Sequence, residues 1–331
     1  MDRKRSGHII SRGLEYAITF FLILAINFFL PRVMPGGPLL SITGSQSADL
    51  PVVIDEEMKY KLMEYYHLND PLHIQFIHYI LDALHLDFGY SIFYNVPVVD
   101  ILIGRLPWTI LLMGTALVFS TIFGIIIGLE SAWKRGEKLD HALLVIMPFF
   151  RSIPAFFLGA IMIFVFGYKT GWFPTSGAIT PYMNYAGFSD YALDVLSHLA
   201  LPMLCLAAFE MPGTYLLVRN VCVQQLGKPY VLMAEARGLK DRTIKKHVLI
   251  NSIVPVINQI AAMLGFMVAG TVFIETVFSY PGMGLLVYNS FIERDYPVLQ
   301  GAFIFMSLVV LACNYAADIA CSYIDGRTGQ E

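Results

Sequence analysis

Charge is scarce in this chain of 331 residues: Asp, Glu, Lys and Arg make up 14% of it, where a soluble domain carries about 25%. Together with 56% hydrophobic residues and a mean hydropathy of +0.63, that shortage excludes an ordinary water-soluble globule and indicates a membrane protein. Cysteine is sparse as well. Cys205, Cys222, Cys313 and Cys321 fall in or beside apolar stretches with no paired spacing, so they read as packing residues and not as a disulfide frame or metal set. There is no basic excess: the net charge is −3, and apart from Arg151 the basic residues lie outside the long apolar runs, which argues against nucleic acid as a partner. Catalytic and nucleotide motifs are also missing. No Gly-x-x-x-x-Gly-Lys-Ser/Thr loop occurs, Gly227-Lys228 being followed by Pro229, so nothing here cradles phosphates. Nor is there a His-Glu-x-x-His, a Gly-x-Ser-x-Gly or a pair of intramembrane aspartates, which counts against an intramembrane enzyme.

Long apolar runs are what the chain has in quantity. A bilayer core takes about 20 apolar residues, and six stretches qualify: Leu14–Leu30, Pro107–Leu129, Leu139–Tyr168, Leu193–Val218, Ile250–Val277 and Val298–Ala320. The first follows Arg3, Lys4, Arg5 and Arg12 as a signal peptide would, yet it runs into Pro31-Arg32-Val33-Met34-Pro35 in place of a small-residue cleavage site. It is therefore read as a transmembrane helix. Six spans put both termini on one side. With the N-terminus inside, residues 1–13, 130–138, 219–249 and 321–331 hold 15 Lys and Arg, whereas the longer outer segments 31–106, 169–192 and 276–297 hold 6. This positive-inside bias places both termini and the 219–249 segment in the cytoplasm. The expectation is an all-α integral protein of the plasma membrane, solvated by lipid. Residues 1–30 form the cytoplasmic N-terminus and first span, 31–106 an outer segment, 107–320 the five remaining spans, and 321–331 a cytoplasmic C-terminus.

Residues 31–106 are too many for an ordinary connection and must carry structure of their own. Met58, Leu62, Tyr65 and Tyr66, then Ile74, Ile77, Ile80, Leu81 and Leu84, recur at helical intervals around Asp70-Pro71. That spacing predicts two amphipathic helices within Asp55–Leu86, able to lie along the outer surface and receive a soluble partner. His67, His73, His78 and His85 fall in the same segment at intervals of 6, 5 and 7. None of these is the three or four that puts two imidazoles on one helical face, so solvated positions are expected in place of a metal site.

Tyr230–Pro255 is a charged island in this oily chain, with six basic residues against two acidic ones between Lys228 and Lys246. Ala234, Ala236 and Gly238 leave its middle with little bulk, and Gly238 can take backbone angles denied to other residues, so a break between two helices is expected there. On charge alone, a basic connector at the lipid surface would account for the stretch. The order of residues narrows this. Tyr230-Val231-x-x-Ala234-x-Ala236-Arg237-Gly238-Leu239, followed by His247, Asn251 and Pro255, resembles the cytoplasmic coupling loop of permeases of ATP-binding cassette (ABC) importers, closest to the oligopeptide, dipeptide and nickel branch. Glu235 stands where that branch usually has a basic residue, and the interval from Gly238 to His247 is one residue shorter than usual.

Other stretches carry the same resemblance. Pro35-Gly36-Gly37-Pro38, Leu86-Asp87-Phe88-Gly89-Tyr90-Ser91, Ser152-Ile153-Pro154-Ala155-Phe156-Phe157-Leu158-Gly159 and Gly171-Trp172-x-Pro174-x-Ser176-Gly177 are similar to signature stretches of those permeases. Pro154 is expected to kink its helix. The most specific match is Gly270–Gly284, followed by Arg294-Asp295-Tyr296-Pro297-Val298-x-Gln300-Gly301. Asp318 and Asp325-x-Arg327 fit the family's close, with Gly326 where a proline is common. Glu275 stands near the end of the fifth span, where an ionisable group is expensive unless it meets water or a partner. Read alone, it caps a helix end. The resemblance implies an outer gate made of Glu275, Tyr280, Pro281, Gly282 and Gly284.

The resemblance further implies a type I ABC importer permease fold with six transmembrane helices and a sizeable outer segment between the first two. It implies a transmembrane subunit with no catalytic residues, metal or cofactor of its own. The expected partners are a second homologous permease chain, two ABC ATPase subunits that bind ATP and Mg, and an extracytoplasmic substrate-binding protein. Tyr230, Ala234, Glu235, Ala236, Arg237, Gly238 and Leu239 would receive the ATPases within the 228–249 loop. Peptides, nickel chelates and other small solutes all remain open as cargo. The rival functions are a secondary carrier, which more often shows internal repeats with broken helices and has no need of the coupling loop, and an intramembrane enzyme. Arg151 and Glu210 are the ionisable residues deepest in the spans, and a charge at mid-bilayer costs about 2.5–3.5 kcal/mol on insertion scales. Two readings stay open: a static ion pair between helices, or a polar lining of the translocation path.

Overall fold

The computed structural model describes residues 2–33 and 70–324. The elements among them are helices: α1 (Asp2–Val33), α2 (Leu72–Leu84), α3 (Val98–Trp133), α4 (Lys138–Ser152), α5 (Ala155–Met162), α6 (Phe188–Leu226), α7 (Pro229–Ala236), α8 (Asp241–Asn251), α9 (Ile253–Val277), α10 (Met283–Ile292) and α11 (Tyr296–Ile324). A π-helical stretch, Ile163–Lys169, continues α5. Within α1 and α11, Arg12–Phe29 and Tyr296–Ala316 are long and apolar enough to cross a membrane, as are α3 and α6; α4 with α5 would make a fifth span. The remaining expected stretch, Ile250–Val277, is occupied by α9, 25 residues long.

Two of the expected spans differ from a simple rod. Leu139–Tyr168 is not one helix: α4 and the α5 segment meet at 97°. Pro154 cannot donate to a continuing helix and pushes the residue before it out of helical geometry, which is where Ile153 lies at φ −81°, ψ 124°. The stretch expected from Ile250 likewise breaks at Ser252, and the long helix begins at Ile253. Ser252 donates its hydroxyl back to the Val248 carbonyl at 2.8 Å, and Pro255 falls in the first turn of α9, where its missing N–H costs nothing. Of the two amphipathic helices expected in Asp55–Leu86, α2 follows the break at Pro71; the first lies outside the described residues, as does Pro35–Pro38.

Two compact units make up the described chain. The first is built around Trp108–Leu285, and α6 is its hub, packing on α4, α5, α8 and α9. Helix α3 also comes close to α6, through Gly124 and Gly128. A Cβ on Gly124 would lie 2.8 Å from Thr214 Cβ, and one on Gly128 2.9 Å from the Tyr215 carbonyl oxygen. Small residues four apart let two backbones approach where lipid supplies no hydrophobic drive. Leu112, Leu158, Leu206, Met267, Ile274 and Phe278 fill the centre of this unit.

The second unit is built on Leu286–Ala312 and the described parts of His8–Pro107. Asn27 of α1 donates to Tyr79 Oη at 3.0 Å and to the Gln300 carbonyl at 2.9 Å, while the Arg32 guanidinium lies 3.6 Å over the Phe28 ring. Two signature stretches far apart in sequence meet here. Asp295 accepts from the Ser91 hydroxyl and from the backbone N–H groups of Ile92 (3.3 Å) and Phe93 (3.2 Å), so the Leu86–Ser91 turn is seated on the start of α11. Gly301 has to be glycine for the same seat, since a Cβ there would lie 2.9 Å from Val98 Cγ1 and 3.2 Å from the Phe88 ring.

Candidate functional site

Lys228 and Pro229 start α7, proline at the first helical position being compatible with its missing N–H. The helix closes at Gly238, whose φ of +71° is the left-handed turn expected there, and Asp241 begins α8. Val231, Ile244 and Val248 point inward and pack with Ala132 of α3, Val218 and Cys222 of α6, and Val256 of α9. Lys245 pairs with Glu130 at 2.5 Å, and its Nζ sits 5.1 Å over the Trp133 ring. The helix pair is thus held on the ends of three long helices. Its other side is open: Leu232, Met233, Glu235, Ala236, Arg237, Gly238 and Leu239 are exposed, whereas Tyr230 and Ala234 are half-buried. Leu232 and Met233 are 63% and 57% exposed, an apolar edge on a basic loop. Glu235, the residue that departs from the family pattern, stands in solvent.

Residues beside this pair escaped sequence reasoning. Asp140 near the start of α4 accepts from Arg219 of α6, from Ser131 of α3 at 2.7 Å and from the Gly136 N–H at 3.0 Å. Tyr215 closes the cluster with a 3.0 Å hydroxyl contact to Ser131. Each residue looks ordinary in sequence; in the structure Gly136 takes the left-handed turn (φ +84°) that brings its N–H to Asp140.

At the other end of the unit, the expected gate residues converge. Glu275, fully buried near the end of α9, accepts from the Thr109 hydroxyl at 2.8 Å and from the Leu285 N–H at 3.0 Å. Thr109 in turn accepts from the Met283 N–H at 2.7 Å. The carboxylate therefore sits at the N-terminus of α10, where unpaired N–H groups and the helix dipole favour negative charge. The turn between α9 and α10 lies directly on it. A Cβ on Gly282 would overlap the Glu275 carboxyl and the Thr109 hydroxyl, and one on Gly284 would lie 2.6 Å from Val272 Cα. Tyr280 is buried with its ring edge-on to Trp108. The Gly171–Gly177 stretch joins the same corner, Gly177 N–H donating to the Phe278 carbonyl at 2.9 Å. Thr109 and Trp108 were not foreseen, lying in a stretch with no motif.

Beyond this corner the loop before α6 is fastened by Asp194, which accepts from Thr180 N–H, Thr180 Oγ1 and Tyr185 Oη, each at 2.7 Å. Desolvation, then the Asp194 carboxylate, pushes the Tyr185 phenol above its usual range.

Arg151 and Glu210 form no direct ion pair. Ion pairs formed by other described residues include Arg12–Glu15, Lys134–Glu130, His198–Asp194, Arg219–Asp140 and Lys245–Glu130. Arg151 is exposed at the α4–α5 bend and Glu210 is buried in α6. Among the described residues no three His, Cys, Asp or Glu gather as a metal site, and His67 lies outside them.

A family profile described as "Binding-protein-dependent transport system inner membrane component" matches residues 120–330. The chain is 30% identical over 324 residues to the oligopeptide transport system permease protein AppB of Bacillus subtilis, covering 97% of this chain and 99% of that protein. It is 32% identical over 320 residues to the glutathione transport system permease protein GsiC of Escherichia coli strain K12, covering 96% and 97%. A chain of the inward-facing MetNI methionine ABC transporter superposes with a TM-score of 0.56 at 18% identity, covering 68% of this chain and 96% of that one, a likeness of fold.

Proposed function

The chain belongs to the family of binding-protein-dependent transport inner membrane components, and from that premise we propose that it moves peptides. It is a multi-pass permease subunit of an ABC importer, a family that works with separate ATPase subunits and a binding protein. Relatives named for oligopeptide and glutathione transport support peptide cargo. In the proposed assembly this chain forms half of the path beside a second homologous permease. Two ATPase subunits bind ATP and Mg on the cytoplasmic side, where both termini also lie, and an outer binding protein delivers the peptide.

The observation that carries the coupling role is the α7–Gly238–α8 pair, with its exposed apolar edge and its buried side packed on α3, α6 and α9. An ATPase seated on Leu232, Met233 and Leu239 would push against Val231, Ile244 and Val248, so its closure would be passed to the ends of those helices. Nucleotide would then bias a switch between two packings of the bundle. The Glu275–Thr109–Gly282 corner would hold the opposite end shut between turnovers.

The test is uptake of tri-alanine by the whole transporter in proteoliposomes. The expected result is accumulation that requires ATP inside, with hydrolysis by the co-purified partner, and that stops when the binding protein is omitted. Uptake driven by an ion gradient without ATP would establish a secondary carrier instead, and absence of peptide uptake would overturn the cargo.

A further inference from the structure

Two polar side chains from two other helices meet over one glycine of α6, one turn from a buried carboxylate. A Cβ on Gly213 of α6 would lie 2.5 Å from Arg151 Nη1, 3.6 Å from Arg151 Cζ and 3.9 Å from Gln259 Nε2 of α9. The guanidinium thus rests on the bare backbone of α6, one turn from Glu210. Glu210 is 8% exposed and is near enough to feel the charge of Arg151, yet no ion pair joins the two. Arg151, Glu210 and Gln259 make no side-chain hydrogen bond or ion pair among the described residues.

Buried or intramembrane charges are normally paired, because leaving them bare costs several kcal/mol. Two opposite charges that lie close together and yet do not pair are arranged to hold something else. The guanidinium offers a forked set of donors suited to a carboxylate, while the Glu210 carboxylate offers acceptors to an ammonium group. Gln259 supplies both a donor and an acceptor beside them.

We infer that Arg151, Glu210 and Gln259 form a substrate subsite that holds a zwitterion, with the free carboxylate of a peptide on Arg151 and its free ammonium on Glu210. The inference rests on the importer reading above. Gly213 is the positioning residue, since its lack of a side chain makes room for the guanidinium, and Pro154, by bending α4 away from α5, carries Arg151 to the bend.

Uptake by the reconstituted transporter is measured for tri-alanine, N-acetyl-tri-alanine and tri-alanine amide, each compared at equal occupancy of the binding protein. Glu210→Gln is expected to lower tri-alanine uptake about tenfold or more, the scale of a lost charge-assisted hydrogen bond, and to leave the N-acetyl peptide at its wild-type rate. Arg151→Met should do the same for tri-alanine and spare the amide. Gly213→Ala, which displaces the guanidinium without removing any charge, should reproduce part of the Arg151→Met loss, with ATP hydrolysis retained. Unchanged ratios among the three peptides in all variants would overturn the subsite. Wild-type complex that moves no tri-alanine would overturn the peptide reading and the subsite with it. Should a variant fail to assemble, photocrosslinking of Ala-photoleucine-Ala to the unmodified wild-type complex decides. Crosslinks within 148–153, 208–214 or 259 are expected under turnover; crosslinks found only elsewhere, the partner permease included, would overturn the proposal.

Discussion

Asp140 and Arg219 meet in a two-pronged ion pair, Nε to Oδ1 at 2.7 Å and Nη2 to Oδ2 at 2.8 Å. Planar guanidinium and planar carboxylate match in this geometry, which gives orientation as well as energy. Ser131 and the Gly136 N–H fill remaining acceptor positions on Asp140, so one carboxylate fixes the ends of α3, α4 and α6. Helices α7 and α8 pack on the same ends of α3 and α6. The pair therefore braces the helix ends on which α7 and α8 rest.

Asp140→Asn should destabilise the assembled transporter, because it leaves Arg219 facing a neutral group and Gly136 with a weaker acceptor. The expected cost is about 3 kcal/mol, the low end for a broken buried pair, since Arg219 keeps some contact with water. The apolar double change Asp140→Leu with Arg219→Met should recover part of that loss. Thermal unfolding of the purified complex checks both. An unchanged midpoint for Asp140→Asn would show that the pair holds nothing.

Gly282→Ala should be among the most damaging single-methyl changes in the chain. Its Cβ would enter the space of the Glu275 carboxyl and the Thr109 hydroxyl, both fixed by hydrogen bonds to the start of α10. Gly114→Ala on α3 is the control, because nothing lies within 4 Å of its Cβ, and alanine there should be neutral or favourable by about 0.5–1 kcal/mol. Thr109→Val tests the bridge itself, with an expected loss of about 1–3 kcal/mol for stranding buried polar groups. Equal melting of the Gly282 and Gly114 variants would remove the corner as a structural lock.

How much of this was legible beforehand divides by the range of the forces involved. Hydropathy located the long helices among the described residues, since partition into lipid depends on composition over some twenty residues. Gly238 was legible because its conformational freedom is local. The 97° bend was only half legible: Pro154 announced a kink, but its size depends on what the two arms pack against. The partners of Glu275 were not legible, because Thr109 is 166 residues away in a helix that reads as plain apolar sequence. The Asp140–Arg219 pair was hidden for the same reason: two charges of opposite sign near the ends of spans look like ordinary interface residues until the fold brings them together.

Asp295→Asn should loosen the Leu86–Ser91 turn. Asp295 accepts three hydrogen bonds from that turn, one from the Ser91 hydroxyl and two from backbone N–H groups. An amide can turn only one oxygen toward those donors, so at least one is lost. Hydrogen exchange at Ile92 and Phe93 should rise in the variant while exchange along α6 is unchanged. Equal exchange at both places would mean that the turn is held by Phe88 against Gly301 alone.

Gly238→Glu should separate ATP hydrolysis from transport. A side chain at this position meets no atom of the chain within 4 Å, so bulk does not disturb the packing of Val231, Ile244 or Val248 behind it. The backbone term is small but real: φ of +71° costs a non-glycine residue about 1–2 kcal/mol. Asn, which tolerates the left-handed region, is the control that keeps the strain low and adds only a short polar group. The added carboxylate of Glu projects from the open edge formed by Leu232, Met233 and Leu239, where the ATPase is proposed to sit. Gly238→Asn is therefore expected to import tri-alanine close to the wild-type rate, and Gly238→Glu to unfold at nearly the wild-type temperature but to lose import, through weaker ATPase binding or through hydrolysis that no longer drives uptake. A Glu variant that holds its ATPases and imports normally would show that Gly238 stands outside the docking surface, and an Asn variant that fails as badly as Glu would assign the effect to backbone geometry and not to the partner.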